Sequence, residues 1–343
     1  MPDRPLVTFA VIAYNQERFI REAVEGAFAQ TYQPLEILLS DDGSPDRTYA
    51  IMQEMAASYT GPHKVVLNRN EPNLGLVPHI DRVMELVSGE FIVVNAGDDV
   101  SVPERTSILT DIWRNAGGEI TLVHSPAMSI DENSRVVGER HSNRAIIDDP
   151  TPHTIAAGYL YALGATAGWD RAVFDVFGPI SPGVSAEDII IPFRAAILGR
   201  IAYVSQKLVK HRTGGVSGVR SGGGAAHDYL YGLSHKARKW HSEVDFYLLE
   251  RFRDVPYSRK AEVEAICRNR GPVLRFAVDL AETERPRRWL MAPTAVQLAW
   301  RHQTSAPLKD YLRYNFDVLY ILYANIFRFR SSKTTKYSPK ISH

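Results

Sequence analysis

Glu90-Phe91-Ile92-Val93-Val94-Asn95-Ala96-Gly97-Asp98-Asp99 decides how the rest of the chain is read. An apolar run of strand length ends in a small residue and two adjacent carboxylates. The run is too short to span a membrane and rich in β-branched residues, so it reads as a buried strand. Two aspartates at the tip of a buried strand oppose each other's ionisation, and burial adds to the cost. A divalent cation relieves both effects, because Mg²⁺ and Mn²⁺ favour hard carboxylate and phosphate oxygens. The competing reading makes Asp98 and Asp99 the start of a turn before the helix that follows Pro103. These residues alone leave the two readings open.

Working back from that strand, the chain alternates. Residues 6–13 form a nearly unbroken apolar run, the pattern of a strand covered on both faces. Asn15 is placed to cap a helix whose apolar face is Phe19, Ile20, Ala23, Val24, Ala27 and Phe28. Residues 35–40 read as a second strand, 47–59 as a helix and 64–68 as a third strand. Val77, Ile80, Val83, Met84 and Val87 mark a further helical face, which Gly89 is expected to end. Strand and helix in this rhythm imply right-handed crossovers and a mostly parallel sheet. Ligands of such sheets sit beyond the carboxyl ends of the strands. Tyr14-Asn15, Asp41-Asp42 and Asp98-Asp99 all fall at those ends, and Asn73 follows the remaining strand. Neither a Gly-x-Gly-x-x-Gly turn nor a Gly-Lys-Ser/Thr loop is present, which argues against a dinucleotide fingerprint and a P-loop.

Working forward, residues 120–124 read as a strand, and 127–130 with 135–137 as a hairpin around Asp131-Glu132-Asn133-Ser134. Ser185 and Asp188 fit a capping box ahead of a helix that closes at Gly199. Residues 201–204 and 207–211 read as short strands. Glycines crowd residues 212–226, and the following stretches 229–252, 262–280, 289–302 and 308–329 read as helices. The expected division is therefore a catalytic domain at 1–220 and a helical region at 221–343.

The chain has 343 residues, a formal charge of +1, 45% hydrophobic and 23% charged residues. Those values are ordinary for a globular protein, and the charge balance argues against nucleic acid as a partner. A single cysteine, Cys267, forbids an internal disulfide and fits a reducing compartment. The first residues show no signal-peptide core and no apolar run is long enough for a membrane span, so a cytoplasmic setting is expected.

Val11 to Asn15, Gln30-Thr31-Tyr32, Ser40-Asp41-Asp42-Gly43-Ser44 with Asp46 and Thr48, Asn73-Leu74-Gly75, Ser88-Gly89-Glu90, Asp98-Asp99 and Pro103-Glu104-Arg105 together resemble the family 2 glycosyltransferases. Gly168-Trp169-Asp170-Arg171, Glu187-Asp188 and His211 continue the likeness, which covers residues 5–218. It implies an α/β fold of the glycosyltransferase-A type, an inverting mechanism, a nucleotide-sugar donor (a UDP-sugar preferred), and Mn²⁺ or Mg²⁺. It places Ala13, Tyr14, Asn15, Glu17, Asp42, Asn73 and Asp98 around the nucleotide, with Asp42 accepting from the base. Asp99, with Asp98 and His211, would meet the metal, Asp188 would be the catalytic base, and Trp169 and Glu187 would face the acceptor. Ala96 departs from the pattern, since family members often carry an aspartate there.

The chemistry suits these residue types. Charge builds on the departing diphosphate, which a metal held by carboxylates can offset. An acceptor hydroxyl attacking from the back needs one carboxylate base. Plainer roles stand beside these: Asp46 as a helix cap, His211 as a structural histidine, Trp169 as core. The aromatic stretch 311–327 reads either as a packing or dimer helix or as an interfacial helix on an anionic membrane, which would suit a lipid-linked acceptor of bacterial surface polysaccharide assembly. A catalytically dead sugar-nucleotide or glycan-binding scaffold and a sugar nucleotidyltransferase are the alternatives.

Overall fold

A computed structural model describes residues 4–140, 150–156, 164–180, 184, 187–213, 255, 257 and 259–316. The first hundred residues alternate as β1 (Val7–Ala13), α1 (Ile20–Phe28), β2 (Leu35–Asp41), α2 (Thr48–Ser58), β3 (Lys64–Arg69), α3 (Leu76–Leu86) and β4 (Phe91–Ala96). The short β5 (Val100–Ser101), α4 (Arg105–Asn115), β6 (Ile120–His124), β7 (Ala127–Ile130) and β8 (Val136–Arg140) follow. Then come α5 (Pro152–Ala156), a 3-10 turn at Gly164–Thr166, β9 (Gly168–Asp170), α6 (Ala172–Asp175), α7 (Glu187–Leu198), β10 (Arg200–Tyr203) and β11 (Val209–Arg212).

The main sheet runs β10-β6-β9-β4-β1-β2-β3. All its strands are parallel except β9, which runs antiparallel between β4 and β6. The continuous apolar reading of β1, β2 and β4 is explained by cover on both faces: each is buried almost throughout. Val7, Phe9, Val11, Ile37, Leu39, Phe91 and Val93 pack with Ile20, Val24, Met52 and Leu109 from the helices on one side. The second sheet, ordered β5-β11-β7-β8, lies alongside. The 127–130 hairpin is there, with β7 and β8 antiparallel.

Two local expectations change. Helix α1 begins only at Ile20, and Asn15 adopts φ of 57° with its N–H donating to Ser44 Oγ at 2.9 Å. Asn15 therefore turns the chain in the left-handed region, which Asn tolerates, and does not cap the helix. Helix α3 ends at Leu86, short of Gly89. A Cβ at Gly89 would sit 2.4 Å from Thr8 N, so glycine is required there by the close approach of β1. Ser185 of the expected capping box, and the expected helical stretches 229–252 and 317–329, lie outside the described residues.

The described residues divide into two compact units, with the change between Cys267 and Arg268. The second contains the later turns of the helix Lys260–Glu282, then Arg285–Arg288, a 3-10 turn at Trp289–Met291, and the helices Ala292–Arg301 and Ala306–Asn315. Phe276, Leu280, Ala295, Tyr311 and Tyr314 form its core. Among the described residues no helix is long and apolar enough to cross a membrane.

Gly89→Ala should destabilise the protein by about 1–3 kcal/mol through overpacking against β1. Thermal unfolding checks this, and an unchanged midpoint would contradict the packing described.

Candidate active site

The parallel strands deliver their loops to one edge, and backbone hydrogen bonds lock those loops together. Asp42 N–H donates to Ala13 O at 2.9 Å and Gly97 N–H to Ile12 O at 2.8 Å. Asn70 N–H donates to Asp41 O at 2.8 Å. The ends of β1, β2, β3 and β4 thus lie in one row. Side chains knit the row further. Gln16 N–H donates to Thr48 Oγ1, Glu17 N–H to Asp46 Oδ2, and Arg47 N–H back to Glu17 Oε2. Asp46 also accepts from the N–H of Thr48, the first residue of α2, at 2.9 Å, while Arg47 holds the N-cap position. Tyr14 stands exposed on this edge.

Asp98 and Asp99 are both buried at the end of β4. Asp99 Oδ1 accepts the backbone N–H of Arg212 at 2.8 Å, and Arg212 Nε donates to Asp98 O at 3.0 Å. Gln16 hydrogen-bonds the Asp98 side chain. Burial, with the neighbouring Asp98 second, pushes the Asp99 carboxyl up to about 8. Burial also raises Asp98. This donor set fits a divalent cation, whose charge would offset the lost hydration and the mutual repulsion that oppose ionisation. Among the described residues no three His, Cys, Asp or Glu side chains stand together as a preformed metal cage. Two carboxylates would leave most coordination positions to phosphate and water, as Mg²⁺-type sites do.

His211 lies on β11 beside Arg212. Its Nε2 is 3.4 Å from Arg140 Nη1, and its Nδ1 is buried without a hydrogen-bond partner. Burial, helped by Arg140, pushes the imidazole down to about 4. The ring is neutral near pH 7, which is the form that can ligate a metal.

Asp188 and Glu187 open α7. Asp188 Oδ1 accepts Gly164 N–H at 3.1 Å. The 3-10 turn that starts there leads to Ala167, whose carbonyl accepts Val94 N–H and Arg105 Nη2. The start of α7 is thereby tied to the end of β4. Burial and the adjacent Asp188 push the Glu187 carboxyl well up, and the two carboxyl groups hydrogen-bond.

Residues 8–177 match the model of glycosyl transferase family 2. This segment is a family 2 glycosyltransferase domain. Over 105 residues the chain is 32% identical to EpsE of Bacillus subtilis, covering 31% of this chain and 37% of EpsE. It is 28% identical over 138 residues to chondroitin synthase of Escherichia coli, covering 40% of this chain and 19% of that one. The matches thus span well under half of these relatives. Among solved structures, Staphylococcus aureus TarS 1-349 in complex with UDP-GlcNAc superposes with a TM-score of 0.58 at 15% identity, covering 90% of this chain and 89% of that one. Mannosyltransferase PcManGT from Pyrobaculum calidifontis, in complex with GDP-Man and Mn²⁺, gives 0.54 at 16% identity, covering 92% and 88%. The fold is the glycosyltransferase-A type expected from the resemblance.

Within this family 2 domain, two expected residues do other work. Trp169 is buried in the main sheet, paired with Ile92 and Leu122 and stacked near Phe174, so no ring face is open for an acceptor sugar. Asp42 is saturated. Its Oδ1 accepts from Asn70 Nδ2 and Leu74 N–H, and its Oδ2 from Asn73 Nδ2 and Gly75 N–H, all at 2.9–3.0 Å. Two donors on each oxygen use its acceptor capacity. A base N–H can be accepted only by displacing one of them. Asn73 also donates to Asp42 O, so its amide is engaged in the same clamp.

Arg212 was not foreseen, although it organises the carboxylate pair. Its guanidinium also bonds Asp131 O, Ser134 Oγ and Glu22, and lies over the Phe19 ring at 4.3 Å. Arg105 is buried as well, donating to Asn95 Oδ1, Ser101 Oγ and Val94 O below the pair. Only the Pro103-Glu104-Arg105 motif hinted at the second; no sequence spacing marked the first.

Asp42→Asn turns one accepting oxygen into a donor facing two donors. A loss of about 1–3 kcal/mol for each unpaired group is expected. The measurements are the thermal midpoint and protease cleavage within residues 70–75; an unaltered loop would refute the clamp.

Proposed function

We propose that the protein transfers a sugar from a nucleotide-diphosphate sugar to a hydroxyl of a glycan or lipid-linked acceptor, with inversion. The observation that carries this is the buried Asp98–Asp99 pair at the end of β4, flanked by the loops after β1 and β2. The fold supports it, as do neighbours whose structures contain UDP-GlcNAc or GDP-Man. Asp98 and Asp99 would hold Mn²⁺ or Mg²⁺; His211, one residue before the Arg212 that bonds Asp99, completes no three-residue metal group with them among the described residues. Such a cation would supply charge for the departing diphosphate. The chain itself would position the nucleotide with the backbone of Ala13 and Asn15, exposed Tyr14, and the loop that Asp42 and Asn73 clamp. Glu17 braces that edge through Arg47.

Asp188 would take the proton from the attacking hydroxyl. Glu187, whose carboxyl is pushed up by burial and by Asp188, hydrogen-bonds Asp188 and would orient it. One base and no enzyme nucleophile fit single displacement and inversion. Bacterial surface polysaccharide synthesis at the inner face of the cytoplasmic membrane is the setting proposed; the E. coli relative is itself a chondroitin synthase. Ala96, where a third carboxylate is often found, favours the second reading, an inactive sugar-nucleotide or glycan-binding scaffold.

Calorimetric titration of UDP, GDP and dTDP, with and without Mn²⁺, tests the site. One nucleotide should bind tightly only with metal, and Asp99→Asn should abolish the metal dependence. Binding of none by the folded protein would reject the reading. Asp188→Asn should lower kcat by about 10²–10⁴-fold while nucleotide affinity stays unchanged. Retained turnover would remove Asp188 as base.

A pH test follows from Asp99. Its folded pKa of about 8 lies above the ordinary carboxylate value, so ionisation costs the fold stability. Without metal, stability should fall as pH rises toward and through that value. Mn²⁺ should offset the loss, so its shift of the thermal midpoint should be larger at pH 8 than at pH 6.

A further inference from the structure

The second unit carries an apolar surface that the transferase reading does not use. The 3-10 turn Trp289–Met291 runs directly into the helix Ala292–Arg301. Trp289, Leu290, Pro293, Val296 and Trp300 recur at three- and four-residue spacing and all face solvent. Trp289 is 51% exposed, Leu290 79% and Trp300 84%. A second exposed stripe, Leu308, Leu312 and Phe316, follows the helix Ala306–Asn315. The two stripes meet where the Trp289 and Phe316 rings touch edge to face, with centroids 5.1 Å apart. Contiguous exposed apolar surface on this scale marks an interaction site.

The rim chooses the partner. Residues 282–316 contain six Lys or Arg and three acids, the exposed Glu282 and Glu284 at the start of the stretch and Asp310. Asp310 is buried. Arg287, Arg301 and Lys309 are exposed beside the apolar stripes. A second copy docking through this patch with two-fold symmetry would bring those cations against their own counterparts. An anionic lipid surface offers the complementary charge, and Trp side chains prefer the headgroup boundary where Arg and Lys meet phosphates.

We infer that Trp289, Leu290, Trp300 and the Leu308–Leu312–Phe316 stripe, rimmed by Arg287, Arg301 and Lys309, dock the protein on an anionic membrane surface. The inference does not depend on the sugar-transfer chemistry, because its readout is binding alone.

The test is cosedimentation of the full chain with phosphatidylcholine vesicles and with vesicles that also contain phosphatidylglycerol. The wild type should bind only the second, and high salt should release it. The double variant Leu290→Glu/Trp300→Glu should bind about tenfold or more weakly, with its thermal midpoint retained. Trp300→Ala should weaken binding by a smaller factor. Arg287→Glu/Arg301→Glu should lose binding and its salt dependence together. The proposal is overturned by absence of binding to the anionic vesicles at low salt. Unchanged binding by all three variants overturns it too. So does a wild-type dimer in sedimentation velocity that the double glutamate variant dissolves, which would assign the patch to self-association.

Discussion

The bond between Arg212 and the Asp98–Asp99 pair joins the two sheets of the catalytic unit. Asp99 accepts the main-chain N–H of Arg212, while the arginine side chain reaches Asp98 O. Two adjacent carboxylates at a buried strand end would repel each other and lose their hydration. A fully buried guanidinium that also holds Asp131 O, Ser134 and Glu22 brings positive charge to that point and fixes β11 against β4. The second sheet is thus more than packing. It supplies the groups that keep the carboxylates in one geometry.

Beneath them, Arg105 performs a related task. It satisfies Val94 O, Asn95 and Ser101, and through Ala167 O it meets the turn that positions Asp188. Removing either arginine would take a charged donor from several acceptors at this buried junction, and such losses are costly in a low-dielectric interior. Asp98, Asp99 and Asp188 are therefore linked through one buried hydrogen-bond network. The loop after β3 has its own brace, in which Asp42 accepts four N–H groups and holds residues 70–75 in place.

Expectation and structure part where contacts are made between distant segments. The aspartates at the strand ends, the glycosyltransferase-A fold and the apolar faces of α1 and α3 were all legible, because period and composition carry them locally. At Asn15 the residue type serves equally as a cap and as a left-handed turn; its bond to Ser44 selects the second. Gly89 looked like a helix end, yet its reason is the backbone of β1. Trp169 carries the same side chain whether it stacks on a sugar or fills a sheet, and only its place on β9 between β4 and β6 decides.

By itself, the sequence determined that parallel strands would present carboxylates at one edge. Unbroken apolar runs for strands and a 3.6-residue period for helices, with polar loops between, leave little freedom in that arrangement. The tertiary structure decided which carboxylates face one another, which are saturated and which carry a raised pKa. Those properties arise from burial and from partners on other elements, 28 to 33 residues away for Asp42 and 113 for Asp99, and no local pattern encodes them.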